Sequence, residues 1–249
     1  EEHDRDKYCF EHANGIVHRG PDLEIDYYRN HGYKITCPTL HYVDCCNKEF
    51  FANHNVKKLS GEDGEYHIVN MGGGLSSHHN IIFAKRFTKQ KIHLHLYCVP
   101  HSIISPIVFK EYKKLDKNEK YFHMEEAVPF DKTPQEIAKY DFGLHITGDI
   151  HKYRQEYLKI ASSNRIFTYL EAGLPIILSN RLEYMKKITE ENKAGFSVKD
   201  EEIDNLHILI EKYDYDEIRK NVLKAREKFL IDNYAKRLVK FYDTVIQTI

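Results

Sequence analysis

The chain has 249 residues, with 37 Lys and Arg against 38 Asp and Glu for a net charge of −1; 41% of its residues are hydrophobic and 12% aromatic. That balance excludes a polybasic nucleic-acid or anionic-membrane binder acting through net charge, and the apolar content excludes a disordered chain. No apolar run approaches the ~20 residues of a membrane helix, and the start, Glu1 to Asp6, is charged where a signal peptide is apolar, so a soluble cytoplasmic protein is expected.

In chain order, Ala13 to His18 (ANGIVH) reads as one buried strand and Asp22 to Asn30 as one helix, with no second βαβ unit to be built in the first 58 residues. The five cysteines, Cys9, Cys37, Cys45, Cys46 and Cys98, are an odd count in a chain too large to depend on disulfides, so reduced thiols are expected. Sixteen histidines are unusual, and Cys37-x3-His41-x3-Cys45-Cys46 has zinc-ligand residue types, but it contains no C-x-x-C pair and Pro38 breaks the segment. Buried or half-buried thiols are the expectation, with no metal.

From residue 65 the pattern becomes rhythmic. Glu65 to Met71 is a predicted strand followed at once by Gly72, Gly73 and Gly74; His79 to Gln90 is helical, and Ile92 to Val99 (IHLHLYCV) a strand by its alternation. A helix near 106–115, a strand near 120–124, a helix over 133–139 with Pro134 at its first position, and a strand at 142–146 follow. Asn164 to Ala172 is helical and ends at Gly173, 176–179 is a strand, and 181–192 a helix. After Asp200 the chain reads as helical, with Ile203, Leu206 and Ile210 on one apolar face and Ile218, Val222, Ala225 and Phe229 on the next.

Strands alternating with helices imply right-handed βαβ units and a Rossmann-like parallel sheet covered on both faces. The expected organisation is a separate N-terminal piece over 1–58, an α/β layer over 59–198, and a helical region over 199–249 packing on that layer. In open α/β sheets ligands bind beyond the carboxyl ends of the strands. Three features fall at such ends. Gly72, Gly73 and Gly74 allow close approach of backbone to a phosphate or sugar, though without G-x-G-x-x-G or P-loop spacing; a ligand-free tight turn reads equally well. Ser162-Ser163-Asn164-Arg165 opens a helix whose free N–H groups and positive dipole end suit a phosphate, with Arg165 adding a charged fork; ordinary N-capping is the plainer reading. Glu171, before Gly173 and Pro175, has a carboxylate able to accept from a ribose diol, or to be a solvated helix residue.

The run SSNRIFTYLEAGLPIIL, preceded by KYDFGLHI and followed by AGFSVKD and REKFLIDNY, resembles the C-terminal donor-binding domain of GT-B glycosyltransferases, most closely the family-4-like group. The resemblance covers about residues 59 to 242. It implies a nucleotide-diphosphate-sugar held with its diphosphate near Ser163, Asn164 and Arg165, its base near Val128, and the glycine loop at Gly72 to Gly74. It also implies no bound metal or other cofactor, in keeping with the lack of a D-x-D before a suitable loop. Residues 1–58 look similar to the end of the acceptor-binding N-terminal domain plus the interdomain link, so the chain is expected to be a fragment. Any peripheral membrane contact would belong to that N-terminal domain.

Two departures stand out. The family's ribose-binding carboxylate falls at Thr168, and its earlier acidic partner at Ile160; Glu171 lies one turn beyond Thr168. His78 and His79 stand where the family often places Arg and Lys. The implied activity is glycosyl transfer from a nucleotide-diphosphate-sugar to a hydroxyl on a carbohydrate or lipid-linked acceptor, in polysaccharide or glycolipid biosynthesis. The alternative is a non-catalytic nucleotide-sugar-binding relative serving as a partner module. A nucleotide-sugar epimerase or dehydrogenase is disfavoured by the missing G-x-G-x-x-G and Tyr-x3-Lys.

Overall fold

The computed structural model describes residues 2–53, 55–71, 78–97, 106–147 and 152–247. The chain begins with helix α1 (Glu2–His12), strand β1 (Ile16–His18), helix α2 (Leu23–Asn30) and strand β2 (Thr39–His41). β1 and β2 pair in parallel, Ile16 beside Thr39 and His18 beside His41, with α2 as the crossover. The first 58 residues therefore do hold a βαβ unit, contrary to the sequence expectation. Three-residue strands that are mostly half-exposed leave too little alternation to be read before their pairing is known. Ile25, Tyr33 and Ile35 form a small core here, packed by Phe10, Ile16, Tyr28 and Cys37.

A single-turn helix α3 (Ser60–Asp63) leads into the main layer: β3 (His67–Met71), α4 (His78–Thr88), β4 (His93–Tyr97), α5 (Pro106–Asn118), β5 (Phe122–Glu125), α6 (Thr133–Ile137), β6 (Phe142–His145), α7 (Lys152–Ile160), α8 (Asn164–Ala172), β7 (Ile176–Ser179), α9 (Glu183–Glu191) and β8 (Gly195–Val198). The six strands form one wholly parallel sheet in the order β5-β4-β3-β6-β7-β8. The chain winds outward from β3 to β5, returns to β6 beside β3, and winds the other way to β8. That reversal makes the carboxyl ends of β3 and β6 the crevice where such sheets bind ligands.

The central strands are buried on both faces, as parallel strands under helices must be, and Ile68, Val69, Leu144, Ile176, Ile177 and Leu178 are at most 1% exposed. Then come α10 (Leu206–Ile210), α11 (Tyr215–Lys228) and α12 (Asp232–Ile246). The seven apolar residues assigned from sequence to the faces of this region are all buried.

The region 199–249, expected to pack on the α/β layer, also reaches the N-terminal unit. Residues up to α11 join the main core, with Ile203, Leu206, Ile210, Ile218, Val222 and Phe229 in it. Helix α12 crosses back to the N-terminal unit: a Cβ on Gly15 would meet Val245 and Phe241 at 2.7 and 3.1 Å, and Tyr42 and Tyr234 stack edge-on. A parallel bridge between Cys46 and Leu230 ties the linker to the turn before α12.

Candidate functional site

Helix α8 is placed by one aromatic side chain. Tyr169 is fully buried, and its hydroxyl donates to the Leu144 carbonyl at 2.8 Å while lying 3.2 Å from the Val69 carbonyl and 3.3 Å from the Met71 N–H. These atoms belong to the carboxyl halves of β6 and β3, so the bonds fix the helix to the two strands that flank the crevice. Gly143 makes this approach possible: a Cβ there would lie 2.2 Å from the Tyr169 ring. Gly173 ends the helix in the left-handed region at φ 71°, a conformation glycine adopts without steric cost.

The amino end of α8 is capped by Ser163, whose Oγ accepts the Arg165 N–H at 3.3 Å. The Arg165 side chain is half-buried and reaches Asn70 Oδ1, near the end of β3, at 3.4 Å. Among the described residues it pairs with no carboxylate, and burial holds its guanidinium below the usual arginine range. The neighbouring His145, at the end of β6, is pushed well below the ordinary histidine value by burial and by Arg165. His145 Nδ1 and Thr147 Oγ1 are buried and have no hydrogen-bond partner among the described residues. One end of the sheet thus gathers a half-buried cation, helix N–H groups and two polar atoms without a partner among the described residues. Burying such groups costs free energy that a hydrogen-bonding anion would recover.

Asn164 and Ser162 serve another purpose. Arg19, from the turn after β1, forks onto Asp44 with two bonds of 2.7 Å and also donates to Asn164 Oδ1, while Ser162 Oγ donates to Asp44 Oδ2 at 2.6 Å. This network docks the N-terminal unit against the start of α8. Of the three consecutive residues Ser163, Asn164 and Arg165, then, one caps, one docks and one faces the crevice.

Thr168 is buried, its hydroxyl donating back to the Asn164 carbonyl at 3.3 Å. Ile160 is buried as well, at the end of α7, and its carbonyl lies against Gly20. Glu171 is neither solvated nor turned to the crevice: it is 4% exposed, and its Oε1 accepts the Asn47 N–H at 2.7 Å. Its carbonyl accepts the Ala52 N–H, so the residue clamps the interdomain linker twice. Burial pushes its carboxyl up to about 7. Val128 is half-buried on the loop after β5, two strands from β3 and so roughly 10 Å across the sheet. Gly72, Gly73 and Gly74 lie outside the described residues. His145, Thr147 and Asn70 were not singled out in the sequence; the signal available was that each lies at or next to the carboxyl end of a predicted strand.

The zinc-type run Cys37, His41, Cys45 and Cys46 is dispersed into separate contacts. His41 Nε2 shares a 2.8 Å bond with the Tyr184 hydroxyl, Cys45 and Cys46 donate to the Val43 and Phe167 carbonyls, and Cys37 packs in the small core. A cleft of about 850 Å3 runs between α2 and β2 on one side and α7, α9 and α12 on the other; among the described residues it includes Ile160 and Tyr184 but not Arg165 or Thr168. No helix among the described residues is long and apolar enough to cross a membrane.

The fold is shared with solved glycosyltransferases. TarM superimposes at a TM-score of 0.64 with 12% identity over 96% of this chain, and sucrose-phosphate synthase from Thermosynechococcus elongatus at 0.65 with 11% identity over 98%. The O-GlcNAc transferase of Thermobaculum terrenum gives 0.58 with 10% identity over 94%. The matches span 46%, 61% and 46% of those proteins, so the chain corresponds to about half of each. No curated protein matches the sequence significantly. Residues 76–241, about two thirds of the chain, match the family described as "Glucosyltransferase 3-like, C-terminal domain". The chain therefore belongs to the glucosyltransferase 3-like family and carries its C-terminal domain, a GT-B glycosyltransferase domain built on a Rossmann-like sheet.

Proposed function

We propose that this domain binds a nucleotide-diphosphate-sugar and that the whole protein transfers the sugar to a hydroxyl of a carbohydrate or lipid-linked acceptor, in polysaccharide or glycolipid assembly. The observation that carries the reading is Arg165: a half-buried guanidinium without a described carboxylate partner, at the amino end of a nine-residue helix, beside the switch point of the sheet. The leaving diphosphate has the charge and oxygen acceptors that this position lacks. During transfer the bond from the anomeric carbon to the diphosphate breaks with its electron pair leaving on the diphosphate. The acceptor oxygen forms the new bond and gives up its proton. Arg165 and the N–H groups of α8 would stabilise the charge that builds on the leaving group. The acceptor side, and with it the base, belongs to the other half of the GT-B pair. The base of the donor is assigned to the loop near Val128, its diphosphate also to Gly72 to Gly74, and no metal is needed. The family's description makes glucose the first sugar to try.

A second reading, a nucleotide-sugar-binding relative without turnover, is favoured by Thr168 and Ile160, where acids are absent and the side chains are buried. The two separate in a transfer assay of the full polypeptide with UDP-, GDP-, ADP-, CMP- and dTDP-sugars. Release of nucleotide dependent on an acceptor supports transfer. Saturable nucleotide-sugar binding with no release across the panel supports the second reading instead.

A further inference from the structure

The opposite, amino-terminal end of the same sheet carries a histidine ladder. His67, His93, His95 and His123 lie on one face of β3, β4 and β5, because His67 is in register with His93 and His95 with His123. The rings stack with centroids 4.3 to 5.1 Å apart, His67 and His93 parallel to within 1°. Two of them point their outer nitrogens at carboxylates from the α3–β3 turn: His67 Nε2 is 3.0 Å from Asp63 Oδ2, and His93 Nε2 is 2.8 Å from Glu65 Oε2 and 3.6 Å from Asp63 Oδ2. One ligand atom each from Asp63, His67 and His93 falls within a 4.8 Å span. The imidazoles are buried, while the Asp63 side chain is 40% exposed, so an ion would reach the site from solvent.

Hydrogen counting sharpens the point. Asp63, His67, His95 and Glu125 form a chain with contacts of 3.0, 2.9 and 2.7 Å. Each of its three contacts needs one hydrogen, carboxylates supply none, and two neutral imidazoles carry two. The chain is one positive charge short. A cation on His67 Nε2 closes the count: His67 Nδ1–H then donates to His95 Nε2, and His95 Nδ1–H to Glu125. On the second branch His93 Nδ1–H donates to His123 Nε2, the two lying 2.8 Å apart. This is the outer shell that metal-ligating histidines ordinarily have, lengthened by one imidazole on the His67 branch, while the His93 branch is oriented by the His123 imidazole. Neighbouring ligands around a tetrahedral ion with bonds of about 2.1 Å lie roughly 3.4 Å apart, which falls among the present N···O separations.

We propose that Asp63, His67 and His93 form a binding site for a divalent transition-metal ion, with zinc the best match to two imidazoles and a carboxylate, and with Glu65 as a fourth ligand. Glu65 now also accepts from Tyr121 and the exposed Lys120, so its recruitment requires Lys120 to turn outward. The ion would be structural, joining the turn before β3 to β4. It lies about 13 Å from the donor crevice by the length of β3, and takes no part in transfer.

The test is calorimetric titration of the untagged, chelator-treated chain with zinc chloride, paralleled by cobalt(II) absorption spectra. One equivalent is expected to bind at micromolar concentration or tighter, raising the melting temperature, with cobalt bands that lack the intense near-ultraviolet absorption of thiolate ligation. Asp63→Asn, at an exposed position that does not threaten folding, should weaken binding at least tenfold. His93→Asn should abolish it. Glu125→Gln should weaken it several-fold through His95. Absence of binding by the wild-type chain overturns the site. So does binding that survives Asp63→Asn unchanged or shows thiolate absorption, which would move the metal to the cysteines.

Discussion

The two ends of the six-stranded sheet are built from similar polar residues arranged with opposite electrical sense. At the amino end, imidazole and carboxylate groups converge: His67 and His93 face Asp63 and Glu65. At the carboxyl end, a guanidinium and the N–H groups of α8 converge with no described carboxylate. The first arrangement is short of a cation and the second of an anion. Both draw on β3, so that strand's backbone alone does not decide which end binds what. The difference lies in which residues the alternation delivers to each end, and in Tyr169, which carries a helix terminus to one end only.

The largest expected effect breaks that delivery. Gly143→Val sets a branched side chain into the Tyr169 ring, and overpacking of this severity should cost about 3 kcal/mol of stability. Chemical denaturation would measure it, and nucleotide affinity should fall with it as α8 is displaced. A loss below about 1 kcal/mol would show that α8 is held some other way.

Arg165→Ala tests the carboxyl end alone. Nucleoside diphosphate binding should weaken by about 1.5 to 3 kcal/mol, the range for a hydrogen bond to a charged group, while His93→Asn at the amino end should leave it unchanged. Equal loss in both variants would mean that the two ends are not independent.

Glu171 sharpens the comparison by showing a buried acid that serves neither end. Its carboxyl sits near 7 against an ordinary 4.5, so the folded chain holds this proton more tightly than the unfolded chain. The contribution is complete below pH 4.5 and is lost as pH rises through 7. Glu171→Gln retains an acceptor for the Asn47 N–H and removes the titration. Its melting temperature should fall less than that of the wild type between pH 5 and pH 8, with the variant ahead by about 1 to 2 kcal/mol at the upper end. Parallel curves for the two proteins would refute this assignment.

The smallest effect is expected at the junction of the two units. Arg19 is half-exposed, so Arg19→Ala should cost about 0.5 to 1 kcal/mol despite its forked geometry, and the cost should shrink in high salt.

Much of the layer was legible because its signals are local. The run from Ser163 to Ser179 contains an N-cap, an apolar helix face, a left-handed glycine and a buried strand, and helix, cap and strand lie where the sequence puts them. Strand β3 begins two residues later than expected, with Glu65 drawn into side-chain contacts with His93 and Tyr121 at its rim. Helices α1 and α7 escaped notice because their polar stretches carry weak apolar periodicity, and β2 because three residues give none. The site residues divide in the same way. The start of α8 was visible as a motif, but that Asn164 docks to Arg19 and Glu171 clamps Asn47 depends on contacts more than 100 residues apart. The alternation IHLHLY showed that His93 and His95 share a face; that His67 and His123 join them required the register of three strands.

The central claim is that the carboxyl end of the sheet binds the diphosphate of a nucleotide-sugar through Arg165. Calorimetric binding of UDP, GDP, ADP, CMP and dTDP to the wild-type chain and to Arg165→Ala tests it most directly. The account predicts selective binding of one nucleoside diphosphate by the wild type, weakened at least tenfold in the variant. Failure of every nucleotide to bind, or equal affinity in both proteins, would contradict it.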